Sequence, residues 1–364
     1  MAQIQKSSRS EETGPTLSEV TEVGRDVLKY TVIGLVSFMV LRMLGTAFVR
    51  YWKATHPEPP PPPTVGFGKL PALNYPNQEF RPDSFKLETA TNKLPEYGDR
   101  AKVFFMPFSS PSLLADEKVR DIASRFGFES QPELISSNYY RWTKRQPLNT
   151  TLEIDLKNYN FSLNSDYLSR IELVTAENLP QSRDAISRVK SLLSNVDLLA
   201  ADVATASGNT TYLKALGGEL LEAVSASDAD FIRVDLDRIP VDGIYHMFTP
   251  DGDVGIISAV VTGAYERRNS VLDMDYRYQP VNYDQAETYP IKTAREAWQE
   301  LKEGGGYVVD GPFDQAVVRK IQFGYYDGFE EQQFLQPIYV FSGDDNFMAY
   351  VPAIKNEHLE QEQE

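Results

Sequence analysis

Three histidines are all that the chain offers for imidazole chemistry: His56, His246 and His358. His56 stands beside a proline run and His358 in a charged tail, so a Ser-His-Asp mechanism would have to use His246. His246 lies in Gly243-Ile-Tyr-His-Met-Phe248, where strand alternation puts it on one face with Ile244 and Phe248. That setting favours a structural histidine over a catalytic one. No cysteine is present, which excludes disulfides, thiolate nucleophiles and Cys-based metal sites. No G-x-S-x-G, H-E-x-x-H or phosphate-loop pattern occurs. Asp251-Gly-Asp253 and Asp344-Asp-Asn346 offer oxygens of the kind calcium takes. Neither fits the calcium loop of the EF-hand, and hairpin turns use the same residue types. Carboxylates are so numerous that spacing singles out no acid/base pair of the glycosidase kind. The expectation is a non-enzymatic chain without catalytic residues, cofactor or metal. Asn149-Thr-Thr, Asn160-Phe-Ser and Asn209-Thr-Thr match the glycosylation acceptor pattern.

The charged residue in the most unusual setting is Arg42. It falls inside Tyr30 to Trp52, the one strongly apolar run long enough to cross a membrane, which takes about 20 residues. A charge at the bilayer centre costs roughly 2.5–3.5 kcal/mol on insertion scales. Arg42 is one to two turns from the end of the run, where its stem can carry the guanidinium to the headgroups. The alternative is a polar partner on a second membrane helix, which makes Arg42 the candidate membrane or partner residue. Tyr30, Tyr51 and Trp52 sit at the two ends, where amphipathic rings favour the interface. A cleaved signal fits poorly, because a long polar segment precedes the run and no small-x-small site follows it. Lys6, Arg9, Arg25 and Lys29 precede the run, against Arg50, Lys53 and Lys69 after it, which favours a cytoplasmic N-terminus and an extracytoplasmic remainder.

The 364 residues carry 36 Lys/Arg and 52 Asp/Glu. Seven of those basic and five of those acidic residues lie in 1–56, which leaves 29 basic and 47 acidic beyond. An acidic outer part is a poor partner for nucleic acid, whose phosphates need clustered Lys/Arg. It also has little affinity for an anionic membrane surface.

Punctuation along the chain divides it into a disordered cytoplasmic tail at 1–28, a transmembrane helix at 29–52 and a Pro-rich linker at 53–70. Two α+β domains are expected at 71–180 and 181–285, then a C-terminal α+β domain at 286–354 and a charged tail at 355–364. The fold class is α+β: one N-terminal membrane helix, a Pro59–Pro63 stalk, and two or three domains with helices packed on antiparallel sheets. Ala115 to Phe126 repeats its apolar residues at helical spacing, with Gly127 as a C-terminal cap. Segments 182–193, 211–224 and 293–302 also read as helices. Strands are expected at 138–143, 152–156, 231–236, 243–248, 254–265, 271–278, 317–326, 336–341 and 347–354. Gly324 should allow a bend or a close backbone approach, and Pro337 should stand at a strand start.

The last segment carries a resemblance. A helix with Ala297, Trp298 and Leu301 precedes a strand ending Phe323-Gly-Tyr-Tyr326; Leu335-Gln-Pro-Ile-Tyr-Val-Phe341 and Phe347-Met-Ala-Tyr-Val-Pro-Ala353 follow. This order resembles the C-terminal domain of the YycH/YycI proteins, which are PepSY-related. Phe126-Gly-Phe128, Tyr140-Arg-Trp142 and Leu152-Glu-Ile154 are similar to parts of the same proteins. The resemblance, mainly in 293–354, implies a single-pass extracytoplasmic regulator of a membrane sensor kinase. Together with the layout it leads to the expectation of a membrane-anchored, extracytoplasmic binding, regulatory or scaffolding protein acting on another envelope or membrane protein. The alternatives are a structural subunit of a secretion- or pilus-type machine and a carboxylate-dependent wall-polymer enzyme.

Overall fold

The computed structural model describes residues 17–55, 61–78, 80–91, 93–174, 178–252, 254–264 and 270–360. The chain divides into two compact units, Met1–Pro62 and Pro63–Glu364. The first contains helix α1 (Leu17–Thr55), of 39 residues. Its stretch Gly24–Lys53 is long and apolar enough to span a membrane. The helix starts at Leu17, so residues 17–28 of the expected tail are helical: no proline interrupts 17–52, and the isolated glycines Gly24, Gly34 and Gly45 do not stop a long helix. Residues 1–16 and 56–60, with His56 and the first two prolines of the run, lie outside the described residues.

The second unit runs β1 (Ser84–Leu87), β2 (Arg100–Phe105), α2 (Ala115–Arg125), β3 (Glu133–Ser136), β4 (Tyr139–Lys144), β5 (Thr150–Asp155), β6 (Phe161–Ser165) and α3 (Ile171–Val174). It continues with α4 (Ser182–Asn195), α5 (Ala201–Ala204), β7 (Asn209–Leu216), β8 (Glu219–Glu222), β9 (Phe231–Leu236), β10 (Met247–Phe248), β11 (Ile257–Val261) and β12 (Val271–Tyr276). It closes with β13 (Asn282–Pro290), α6 (Ala294–Lys302), β14 (Tyr307–Asp310), β15 (Gln315–Tyr326), β16 (Phe334–Gly343) and β17 (Met348–Pro352).

Among the described residues these strands form two sheets. Nine antiparallel strands run β3-β4-β5-β6-β12-β11-β9-β7-β8. Their alternation puts Trp142, Leu152, Ile154, Leu163, Val234, Ala259 and Met274 on one face, against Val119 and Ile122 of α2 and Val189 and Leu193 of α4. The other sheet follows β1-β15-β16-β17-β14; β2 joins β16 and β13, and β10 joins β15. Most of its pairs are antiparallel, but β1 and β10 run parallel to β15. Helix α6 lays Ala297, Trp298 and Leu301 on this sheet's core with Phe323, Phe341 and Phe347. The chain is α+β, with an N-terminal apolar helix and largely antiparallel sheets carrying helices.

The sheets cut across the boundaries expected at 180/181 and 285/286. β2 pairs with β13 and with the start of β16, so the C-terminal sheet draws strands from both sides of the nine-stranded one. The expected linker ends sooner: Val65 N–H donates to Thr288 O (3.0 Å) and Leu70 is fully buried. The expected charged tail is partly built in. Leu70 N–H donates to His358 O and Glu360 N–H to Leu70 O, both at 2.8 Å. Residues 361–364 lie outside the described residues.

Local signals explain most helices. Helix α2 ends in a Schellman motif: Gly127 has φ +82°, Phe128 N–H donates to Ala123 O and Gly127 N–H to Ser124 O. Helix α6 begins with a capping box between Thr293 and Glu296. The helix expected at 211–224 is instead the β7–β8 hairpin. Gly217 and Gly218 both hold positive φ at its tip, a pair that would cost about 2 kcal/mol inside a helix, and β7 pairs along β9. The strands expected at 243–248 and 254–265 shrink to β10 and β11. Gly324 receives a close backbone as expected: a Cβ there would lie 2.7 Å from His246 O. Pro337 sits inside β16 rather than at its start. It falls where β16 changes partner from β2 to β17, between Leu335↔Phe104 and Ile338↔Pro352, so its missing N–H leaves no gap in the ladder. Trp298 anchors α6 at 9% exposure. Trp298→Ala should therefore cost about 3–5 kcal/mol, read as an earlier urea midpoint by circular dichroism of the full chain in detergent.

Candidate functional site

The residues singled out by type do not converge. Arg42 lies about two-thirds of the way along α1 and forms no ion pair among the described residues. His246 is exposed ahead of β10, and its backbone carbonyl, not its ring, is engaged, accepting from Tyr325 N–H at 2.9 Å. His358 faces Glu357 at 3.5 Å. Asp344 is held by Arg319 (2.6 Å) in the β16–β17 turn, where Asp345 and Asn346 take positive φ. Asp253 lies outside the described residues. Among the described residues no group of three or more His, Asp or Glu could hold a metal. Asn160 is half-buried and its Oδ1 accepts from Tyr278 N–H (3.0 Å), whereas Asn149 and Asn209 are exposed.

Three arrangements emerge that residue types alone did not announce. The first is a buried charge hub. Arg238, after β9, has no exposed side-chain surface. Its Nη1 meets Asp202 Oδ2 of α5 at 2.8 Å, and its Nε meets Asp327 Oδ2, beyond β15, at 2.6 Å. The guanidinium also lies 4.4 Å from the Tyr278 ring centre, and Tyr278 Oη donates to Asp202 Oδ1 at 3.1 Å. Burial pushes the Tyr278 phenol up to about 12, with Arg238 pulling against it, so it remains a donor. Burial also raises Asp327, against the pull of Arg238. The same burial works to lower Arg238, but the two carboxylates outweigh it and hold the cation. These partners lie 36 and 89 residues from Arg238, beyond any sequence-local signal.

The second is the face of the nine-stranded sheet turned away from α2 and α4. Register sets a polar row across it: Arg141 opposite Glu153, then Ser162, Asp275, Ser258 and Asp235. Arg141–Glu153 (2.7 Å) and Arg233–Asp235 (2.8 Å) tie down its ends. Asp273 is on the same face, and burial, reinforced by Asp275, raises its carboxyl to about 6. Alternation alone could have disclosed this row, had all six strands been read from the sequence.

The third is a cleft of about 680 Å³ where the C-terminal ends of α2 and α4 meet the sheet near the β4–β5 loop. Leu163 and Leu272 supply an apolar floor, with Phe126 and Leu192 on the helix side. Lys144, the last residue of β4, reaches in. Its Nζ donates to Phe126 O at 3.1 Å and lies 4.5 Å from the Phe128 ring centre. Burial lowers the Lys144 pKa. Arg125 lines the rim but is engaged by Asp121 and Asp197, each at 2.8 Å.

No protein-family model and no curated protein matches the chain. The crystal structure of an uncharacterized protein from Eubacterium rectale aligns over 74% of this chain and 87% of that one, with 10% identity and a TM-score of 0.39.

Replacing Arg238 by Met should strand Asp327 in the interior and cost about 3–5 kcal/mol. The double variant Arg238→Met/Asp327→Leu should recover part of the loss, read by urea unfolding. Asp273 binds its proton more tightly folded (about 6) than unfolded, near 3.9. Its contribution is therefore full below pH 4 and lost as pH rises to 6. Asp273→Asn should flatten the stability profile between pH 4 and 6 and stabilise at pH 7 by about 1–2 kcal/mol, after allowance for partial exposure.

Proposed function

We propose that the chain is a membrane-anchored, extracytoplasmic binding protein that regulates or scaffolds another membrane or envelope protein. The observation that carries this reading is the pairing of a span-length apolar helix, Gly24–Lys53, with a separate compact unit of about 300 residues. The polar row on the nine-stranded sheet supports it further. Arg141, Glu153 and Asp275 keep a third or more of their side-chain surface open, on strands rather than loops, so a partner would meet a pre-ordered pattern of charge. The YycH/YycI-like order of residues 293–354 points the same way. Arg42 offers a second contact inside the bilayer, with an acidic or polar group on a partner helix.

Two measurements test the proposal. The cysteine-free background allows single thiols to report topology. In intact cells an impermeant maleimide should label Ala226→Cys and leave Ser8→Cys unlabelled until the cells are opened; the reverse pattern overturns the orientation. Crosslinking in native membranes followed by purification of the full chain should recover one membrane protein in defined stoichiometry. Glu153→Lys/Asp275→Lys should reduce that recovery about ten-fold if the partner docks on the sheet face. Arg42→Leu should reduce it only if the contact is between membrane helices. Recovery of no membrane partner sinks the reading.

A further inference from the structure

The cleft at the ends of α2 and α4 has a chemistry that the choice of protein partner does not explain. In a chain with 52 Asp/Glu against 36 Lys/Arg, none of the residues lining it is acidic. Two cations reach it, and one of them, Arg125, is already committed to Asp121 and Asp197. Lys144 has only neutral company, a backbone carbonyl and an aromatic face. A half-buried ammonium without a counter-charge carries a desolvation cost that one carbonyl and one aromatic face offset only in part. The hydroxyls beside the floor are also engaged: Thr150 Oγ1 donates to Leu148 O and Ser165 Oγ to Leu272 O, while Ser124 stands at the exposed rim. The space, about 680 Å³, is in the range of small-molecule sites.

From these features we infer that the cleft binds a small monoanion with an apolar body, its carboxylate on Lys144 and its body on Leu163 and Leu272. One uncommitted cation and few free donors suit a single carboxylate, whereas a phosphate ester would need several donors at once. The floor supplies the area to hold a ring or branched chain, and the lysine supplies charge selection. The position of Lys144 is set independently of any ligand: β4 ends there, and the Schellman turn at Gly127 leaves the Phe126 carbonyl available to it. The inference concerns this site alone and goes beyond the regulatory reading.

The test is calorimetry on the full chain in lipid nanodiscs, with empty nanodiscs as the blank. The probes are 1-naphthoate and its neutral counterpart 1-naphthamide. The wild-type chain should bind naphthoate saturably with one site, about ten-fold tighter than the amide. Lys144→Met should remove that preference, and Lys144→Arg should keep most of it. Ser124→Trp, at the exposed rim, should weaken both compounds by blocking entry. Each variant is first matched to wild type by circular dichroism and melting temperature. Absence of saturable binding, equal affinity of wild type for the two compounds, or an unchanged preference in Lys144→Met would each overturn the inference.

Discussion

Arg238 is held between two carboxylates from separate parts of the second unit, Asp202 of α5 and Asp327 just beyond β15, and that constraint organises what surrounds it. Between β2 and β13 the chain builds the nine-stranded sheet, and β10 alone returns to pair with β15, so the chain crosses between the sheets four times. The first and last crossings are pinned beside the hub. Gln279, on the return crossing, gives its backbone carbonyl to Arg238, donates its side-chain amide to Pro107 O and Gln332 O, and accepts from Gln332 N–H. Arg238 therefore fixes Asp202 in the helix layer, Asp327 at the end of β15 and the returning strand at once. A buried ion cluster of this kind adds little net stability over an apolar replacement, but losing one member is expensive. Its value here lies in allowing one arrangement of the two sheets.

With the sheets locked, the two faces of the nine-stranded one differ in chemistry. Helices α2 and α4 cover one face with aliphatic side chains, and because they end before the sheet does, they leave the cleft around Lys144. The opposite face keeps its polar row partly open, as antiparallel sheets can. The polar row rides on strands, and the cleft's lysine and floor do too, with helix ends and the β4–β5 loop completing its walls. Surfaces ordered in advance lose little conformational entropy on binding, which is the physical basis of the proposed recognition role.

Local features of the fold were legible in the sequence wherever a short-range rule applied. Helix α2 followed from apolar spacing and from Gly127, and helix α6 from the run 293–302 with Ala297, Trp298 and Leu301; its Thr293–Glu296 capping box was there to be read as well. Strands β9 and β12, and β15 to β17, followed from alternation. The failures have local causes too. In 211–224 apolar spacing outweighed the Gly217-Gly218 signal, although two adjacent glycines mark a turn. Strands β2, β13 and β14 carry weak patterns of their own and exist because they pair with distant segments. The tie between Leu70 and Glu360 belongs to the same class.

The sequence by itself determined the span-length apolar helix, the absence of cysteine chemistry, the acidic balance and the α+β class, because composition and periodicity are properties of neighbouring residues. Tertiary structure alone decided that residues 63–364 form one interwoven unit and that Arg238 finds Asp202 and Asp327. It also decided that Lys144, ordinary in Thr143-Lys-Arg145, stands over an apolar floor with a carbonyl and a ring but no carboxylate beside it. Those outcomes depend on which strand edges meet and on what burial does to a charge. Both are set by contacts between residues tens to hundreds of positions apart, which no local pattern encodes.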